Sequence, residues 1–355
     1  MTSVPLFIIY GIGGLMGMLF LIYIYLLITK ILSSRVRLAK DSWLERNAPM
    51  IESYLAYAED SCDIQLRKKY EFEAFEDYLS DYLEIFQLGS KGGRIKDLTA
   101  VSLTERYRKL LYSNRWSARM NSLFFIRLFR MDHLLEEVLT LLSSRHCTPK
   151  EQYEIYLFLA EVHNNHAVDL ILKSNRSLPD FMLRELLDRF ISLENFEEYI
   201  VRFHQYPRDW RLCMVDVFRD KNLRSQPLFV LLETIALQED HELRLRAMKA
   251  IAALGYVTSP SFVVELFNKV CQNGVDTADK ILLSRIMGEV RYSCFIPLLE
   301  HLIKDKSYLV RNESAKSIRK YKGGIERLLR IADTHADGFA RDAALEWIER
   351  EVVHE

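Results

Sequence analysis

The sequence predicts an all-α protein in which one transmembrane helix precedes a right-handed α-solenoid of helical hairpins. Three observations support this fold class. No charged residue occurs between Val4 and Thr29, apolar residues recur at three- and four-residue spacing through most of the remaining chain, and one residue pattern occurs twice in the last third. Apolar residues at that spacing form one face of a helix, and no convincing period-two run indicates a strand.

The composition is that of an ordinary globular protein. Of the 355 residues, 49% are hydrophobic and 27% are charged, so the chain can bury a sizeable core. The formal net charge of -1 gives no general attraction to nucleic acid, because that partner requires a clear positive excess. We therefore expect no nucleic-acid partner.

The cysteines indicate a reducing compartment. There are five of them, and no two have the short spacing of a zinc site or a disulfide framework. They are Cys62, Cys147, Cys213, Cys271 and Cys294. Single cysteines within helices usually act as small buried hydrophobic residues.

The N-terminal segment, residues 1–33, is predicted to be a transmembrane anchor that crosses the membrane through residues 4–29. At about 1.5 Å per residue, this stretch is long enough for a hydrocarbon core of about 30 Å. A cleaved signal peptide is the alternative, but it would have Lys or Arg before its apolar core and a small-x-small site after it. Here nothing before Lys30 is basic.

The flanking charges predict the orientation of this helix. Lys30, Arg35, Arg37 and Lys40 follow the apolar stretch, and positive flanks remain in the cytoplasm. We therefore expect a single-pass protein of the cell membrane, with its N-terminus outside and its C-terminal domain in the cytoplasm. Gly13 and Gly17 form a GxxxG pair, which would allow close packing against another helix, although glycines are common in spanning helices anyway.

Residues 34–113 are predicted to be a membrane-proximal helical cap region, because the exposed end of a solenoid needs a different surface from its middle. The ranges 50–57, 72–86 and 123–142 carry apolar residues at helical spacing. The amphipathic run from Tyr70 to Phe86 is rich in acidic and aromatic residues. It could bind a partner, but an aromatic stripe at this spacing usually lies in a core.

One pattern occurs twice with identical spacing: Asp, four residues, aliphatic-Arg, three residues, Ala, two residues, and a small or aliphatic residue. Its copies are Asp240, Leu245, Arg246, Ala250, Ala253, Leu254, and Asp305, Val310, Arg311, Ala315, Ile318, Arg319. The preceding segments, 227–237 and 297–303, are predicted to be the first helices of two helix pairs.

This pattern resembles the second helix of a HEAT repeat, from the armadillo-type α-solenoid family. The resemblance implies that the Asp caps the helix, the aliphatic residues fill the core between repeats, and the small Ala lets paired helices approach. It also implies that the Arg pairs with an acidic group of the neighbouring repeat. Degenerate copies at intervals of about 30 to 35 residues extend the repeat domain over residues 114–355. The series is Ala118-Arg119, Trp210-Arg211, Leu245-Arg246, Ala278-Asp279, Val310-Arg311 and Ala340-Arg341.

No motif predicts catalysis, a cofactor or a metal site. His163 and His166 could offer two metal nitrogens on a helix, but no third ligand is identifiable and the Asn pair between them indicates a turn. The glycine-rich run 89–94 lacks the spacing of a phosphate-binding loop and follows a helix instead of a strand. No GxSxG motif or dinucleotide fingerprint occurs.

A basic cluster with interleaved aromatic residues is the best candidate for contact with an anion or an anionic lipid. It comprises Arg106, Arg108, Lys109, Arg115 and Arg119. The same residues could instead form a solvated face that answers the acidic stretch 71–84. The sequence leaves both interpretations open.

The resemblance implies function only by analogy of fold. HEAT-like repeats form extended surfaces for other proteins. We expect a membrane-anchored cytoplasmic scaffold or regulatory subunit, not an enzyme, that docks a membrane protein or complex. Bacterial proteins of this plan resemble accessory subunits of envelope polysaccharide synthesis, such as those of glycosyltransferases. The alternatives are a HEAT-like lyase that attaches bilin pigments and a solenoid sensor of a small anionic ligand.

Overall fold

The computed structural model describes residues 3–57, 62, 64–86, 92–162, 167–173, 178–237, 240–272 and 276–352. Within these ranges the chain is all-helical, as predicted, and contains no strand. It divides into two compact units, Met1–Val168 and Asp169–Glu355. The expected domain boundary between residues 113 and 114 falls inside the first unit.

The first unit is built from six helices that bury a common core. They are α1 (Ser3–Tyr57), α2 (Lys69–Phe86), α3 (Gly92–Leu111), α4 (Trp116–Leu128), α5 (Leu135–Ser143) and α6 (Pro149–Glu161). α1 packs on α2 and α3, α3 packs on α4 and α5, and both of these contact α6. A short helix, α7 (Ala167–Lys173), contains the division between the two units.

Helix α1 has two parts with different surroundings. Its C-terminal part buries Trp43, Ile51 and Leu55 in the first unit, and Trp43 meets Phe75 of α2 edge to face at 6.3 Å. Its apolar N-terminal part has a mean hydropathy of 2.2 and is not buried against the chain. By length and composition this part could cross a membrane, as a signal sequence near an N-terminus also could. The helix continues through residue 33 without a break.

Helix α2 contains the aromatic stripe that the sequence left open. Ala74, Phe75, Leu79 and Tyr82 are buried, so this stripe lies in the core of the first unit.

The periodic segment 123–142 is two helices and not one. α4 ends at Leu128, and Arg130 adopts a left-handed conformation with φ of 50°, so the amide of Met131 reaches the carbonyl of Ile126. No Gly or Pro marks this turn, and the apolar spacing continues across it.

The second unit consists of paired helices. Its eleven described helices are α8 (Asp180–Phe190), α9 (Phe196–Val201), α10 (Arg208–Asp220), α11 (Gln226–Ala236), α12 (His241–Leu254), α13 (Pro260–Gln272), α14 (Thr277–Val290), α15 (Ile296–Leu302), α16 (Tyr308–Arg319), α17 (Gly324–Thr334) and α18 (Gly338–Val352). α11 packs on α12, α13 on α14, α15 on α16 and α17 on α18. The predicted first helices, 227–237 and 297–303, therefore coincide with α11 and α15.

The second helices of these pairs form a row within the unit, together with α8 and α10. Each of α8, α10, α12, α14, α16 and α18 packs against the next. In the sequence, such helices recur every 28 to 36 residues from α4 onward, with first residues Trp116, Pro149, Asp180, Arg208, His241, Thr277, Tyr308 and Gly338. This interval agrees with the period of the sequence pattern.

The helix starts correct the register of the predicted repeat. Counted from the first residue of its own helix, Val310-Arg311 occupies positions three and four of α16. The same positions of α4, α10 and α18 hold Ala118-Arg119, Trp210-Arg211 and Ala340-Arg341. In α12, however, these positions hold Leu243-Arg244 instead of Leu245-Arg246, and in α14 they hold Asp279-Lys280 instead of Ala278-Asp279.

Burial supports the corrected register. Leu243 is 1% exposed and Val310 is fully buried, whereas Leu245 is only half-buried. The run Leu-Arg-Leu-Arg offers two equally good matches, so only the packing distinguishes them. Ala250 and Ala315 are both fully buried, although they occupy helix positions ten and eight.

The two aspartates of the pattern act differently. Asp240 is the N-cap of α12: its side chain accepts a hydrogen bond from the amide of Leu243 at 3.1 Å and two from the guanidinium of Arg208. The hydrogen bonds from Arg208 are the main cause that lowers the pKa of Asp240 to about 2. Asp305 lies two residues before the N-cap of α16, Ser307, and accepts a hydrogen bond from its amide at 2.9 Å.

Candidate interaction surface

A groove with a volume of about 530 Å³ lies between α8, α10 and α12 of the second unit. α8 and α12 both pack against α10, which therefore forms its floor. The lining residues are Asp180, Phe181, Arg184, Glu185 and Asp188 of α8, Cys213, Asp216, Val217 and Asp220 of α10, and Arg246 of α12.

The floor of the groove is held by a partly buried charge pair. Asp216 is 8% exposed, and its Oδ2 accepts a hydrogen bond of 2.7 Å from Nη1 of Arg246. The other terminal nitrogen of Arg246 donates to Glu242 at 2.7 Å. Arg246, for which the resemblance implies an acidic partner in the neighbouring repeat, thus faces the groove and pairs with Asp216 of α10.

The rim of the groove is acidic and contains one exposed aromatic ring. The side chains of Asp180, Glu185 and Asp188 are 69%, 46% and 56% exposed, and Phe181 is 68% exposed. Five carboxylates line the groove against two guanidinium groups, Arg184 and Arg246. Each exposed carboxylate of the rim also has a basic partner: Asp180 lies 3.7 Å from Arg246, Glu185 lies 3.2 Å from Arg189, and Asp188 lies 3.4 Å from Lys221. The surface therefore presents exposed, paired charges around an apolar contact point.

Cys213 does not provide a nucleophile at neutral pH. It is 1% exposed, and its thiol lies 3.7 Å from the backbone oxygen of Asp180. Burial, followed by the nearby Asp180 carboxylate, raises the pKa of Cys213 to about 11. Because the thiolate is the reactive form, this cysteine acts as a small packing residue of the floor.

A second groove of about 610 Å³ has an almost entirely apolar wall. It is formed by His204, which follows α9, and by residues of α11: Gln226, Pro227, Val230, Leu231 and Thr234. Val230 is 49% exposed there.

Three members of the predicted basic cluster are paired with acids inside the first unit. Nε of Arg106 lies 3.6 Å from Glu76 of α2, and its guanidinium covers the ring of Phe72 at 4.3 Å. Nε of Arg108 donates to Glu137 of α5 at 2.8 Å. The third pair, between Arg119 of α4 and Glu151 of α6, is buried.

The remaining members, Lys109 and Arg115, are exposed. Of the paired members, only Arg106 meets the acidic stretch 71–84, while Arg108 and Arg119 meet acids of α5 and α6.

Other predicted positions lie partly outside the described residues. His163, His166 and residues 89–91 are outside them. Gly17 lies in α1, where an added methyl group would meet no atom of this chain, while the surroundings of Gly13 are not described. In the described part of the chain, no three His, Cys, Asp or Glu side chains are grouped as metal ligands would be.

Sequence reasoning missed the specific partners of the repeat arginines. Nε of Arg119 donates to Glu151 at 2.7 Å, and Nε of Arg244 donates to Asp279 at 2.8 Å. Glu151 and Asp279 are fully buried, and they are the third residues of α6 and α14, which pack on α4 and α12 respectively. The rule is that an arginine at position four of one helix meets an acid at position three of the following second helix.

Two arginines at position four have no acid opposite them, and their hydrogen bonding is consistent with this rule. Opposite Arg211 and Arg311, the third residues of the next helices are Leu243 and Ala340. Among the described residues, Nε of Arg211 and Nε of Arg311 are buried without a hydrogen-bond acceptor. An acid at the third position of the next second helix is the sequence signal that would have identified the two buried pairs.

No family model matches this chain, and no curated protein matches it.

Proposed function

We propose that this protein is a membrane-anchored cytoplasmic scaffold or regulatory subunit whose second unit is a right-handed, HEAT-like α-solenoid. The row of second helices supports a solenoid, because a repeat buries its faces only against its neighbours. The observation that carries the proposal is the acidic groove between α8, α10 and α12, which leaves exposed charges and Phe181 free of the helix-to-helix packing.

The membrane anchor is the second part of the proposal. The apolar stretch of α1 is unburied, and in water such a surface would be costly. The helix then continues without a break into the core of the first unit, so cleavage as a signal peptide would cut one continuous helix. Lys30, Arg35 and Arg37 follow the apolar stretch, which favours a cytoplasmic position for both units.

The proposed partner is a membrane protein or complex with a basic segment. The most exposed carboxylates of the groove, Asp180 and Asp188, pair with Arg246 and Lys221 at 3.7 and 3.4 Å, and a basic segment of the partner would replace these exposed pairs. By analogy of plan, an envelope glycosyltransferase complex is the proposed setting. We propose no catalytic role for the groove.

The topology can be tested with the exposed cysteine Cys294. A thiol reagent that cannot cross membranes is expected to leave Cys294 unlabelled in intact cells and to label it after permeabilisation. Labelling of the folded protein in intact cells would show that the second unit lies outside.

The groove can be tested by charge reversal. We expect Asp180→Lys with Asp188→Lys to reduce capture of a stoichiometric partner, in mild detergent, by at least about tenfold, because like charges would then face the basic segment. Asp209→Lys with Glu198→Lys is the matched control, since both acids are exposed outside the groove and Asp209, like Asp180, lies in a first helical turn. Equal losses in both variants, or none in either, would rule out the groove. A coloured or nucleotide ligand in the purified protein would instead support the lyase or sensor alternatives.

A further inference from the structure

A short part of α1, residues 29–40, has a charged face. At 100° per residue, Lys30, Ser33, Arg37 and Lys40 lie within one quarter of the helix circumference. Arg35 lies about 140° from Lys30, on the other side of the helix. The rest of this surface is mainly apolar, and its large side chains are 44% to 68% exposed: Ile31, Leu32, Val36 and Leu38. This part lies between the apolar stretch and the first packing contacts with α2.

The charges at the two ends of this segment have different partners. Nζ of Lys40 lies 3.0 Å from Asp77 and 3.1 Å from Glu73 of α2, so its charge is neutralised within the chain. Lys30, Arg35 and Arg37 are exposed, and none of them has an ion pair among the described residues. No acidic residue precedes Asp41 in the sequence. Within residues 29–40, three positive charges therefore have no acidic neighbour.

Their spacing fits the headgroup layer of a bilayer. Lys30 and Arg37 are separated along the axis by about 10 Å at the rise of an α-helix. The polar layer on each side of the hydrocarbon core is about 5 to 8 Å thick, and long basic side chains reach further along the helix. The exposed apolar residues between the charges extend the hydrophobic surface into the same layer.

We propose that Lys30, Arg35 and Arg37 form a collar that binds the phosphate groups of anionic phospholipids in the leaflet facing the first unit. This inference rests on the proposed membrane anchor. A lipid is favoured over an acidic protein segment, because the charges alternate with exposed apolar side chains that suit acyl chains near the interface. Lys40 together with Lys69, which lies 3.5 Å from Glu73, balances Glu73 and Asp77, so these acids do not repel the same lipids.

The test uses the full-length protein in phosphatidylcholine vesicles with trace spin-labelled lipid. We expect spin-labelled phosphatidylglycerol to associate with the wild type at least about fivefold more strongly than spin-labelled phosphatidylcholine, the factor that one basic residue near an anionic surface contributes. The preference should weaken in about 0.5 M salt, where charges are screened. The triple variant Lys30→Gln, Arg35→Gln, Arg37→Gln should associate equally with both lipids.

The control removes the same charge elsewhere. Arg224→Gln, Lys249→Gln and Arg330→Gln alter exposed residues of the second unit and should leave the lipid preference unchanged. Equal association in the wild type, persistence of the preference in the triple variant, or an equal loss in the control would each overturn the collar. If the wild type fails to float with vesicles after an alkaline wash, the proposed membrane anchor is wrong, and the collar, which depends on it, is rejected as well. Flotation without a lipid preference would overturn the collar alone.

Discussion

Replacing Asp279 with Ala is expected to lower the free energy of unfolding by about 3 to 5 kcal/mol. Asp279 is fully buried and accepts hydrogen bonds from Nε and Nη2 of Arg244 at 2.8 and 3.2 Å. Because Arg244 is itself 9% exposed, removal of its partner leaves a buried guanidinium without its counter-charge. Urea unfolding of the detergent-solubilised protein, followed by circular dichroism, would measure the loss.

Two further variants identify the origin of that effect. Replacing both Arg244 and Asp279 with Leu should recover most of the stability, since an apolar pair can replace a buried ion pair at little cost. Arg246→Ala should cost less than about 1 kcal/mol, because the pairs of Arg246 are more exposed. A larger loss of stability for Arg246→Ala than for Asp279→Ala would show that Leu245-Arg246, as the sequence pattern predicted, is the repeat dipeptide of α12.

Replacing Gly324 with Ala is expected to lower the free energy of unfolding by about 2 to 3 kcal/mol. Gly324 is the first residue of α17 and is buried against the end of α16. A Cβ atom there would overlap the carbonyl oxygen of Ile318 and lie 2.8 Å from that of Arg319. Both atoms belong to the backbone, so α16 and α17 would have to separate. Thermal melting would show the change as a lower Tm.

Gly338→Ala is the matched control for this prediction. Gly338 is the first residue of α18, and a Cβ atom there would lie 3.6 Å from Nη2 of Arg341, which is ordinary contact. Because Ala reduces the freedom of the unfolded chain, we expect a gain of a few tenths of a kcal/mol up to about 1 kcal/mol. Equal effects at both positions would show that α16 and α17 are not as close as described.

The close approach of the second helices depends on small residues that the sequence pattern did not select. Gly288 of α14 faces Ser317 of α16, where a Cβ atom would lie 2.5 Å from Oγ. Ser284 and Ser314 share a hydrogen bond of 3.0 Å across the same interface and are fully buried. Isolated serines and glycines carry no periodic signal, so their role becomes visible only when both helices are in place.

The sequence by itself determined the features that depend on local patterns: an all-helical chain, an apolar N-terminal helix, and second helices that recur at regular intervals. These follow from apolar spacing and turn residues within a few positions of each other. The break at Arg130 escaped the same reasoning, because an arginine in the left-handed region has no sequence signature and the apolar spacing continues past it.

Only the tertiary structure decided which arginine of Leu243-Arg244-Leu245-Arg246 is buried and which faces the groove. Both match the local pattern, and the choice depends on Asp279, which lies 35 residues after Arg244 and meets it only when α14 packs on α12. The pairing of three basic-cluster residues has the same cause, because Glu76, Glu137 and Glu151 come from three different helices. The two members of such a pair are distant in the sequence and meet only when their helices pack. A local sequence pattern therefore cannot show which acid a given arginine will contact.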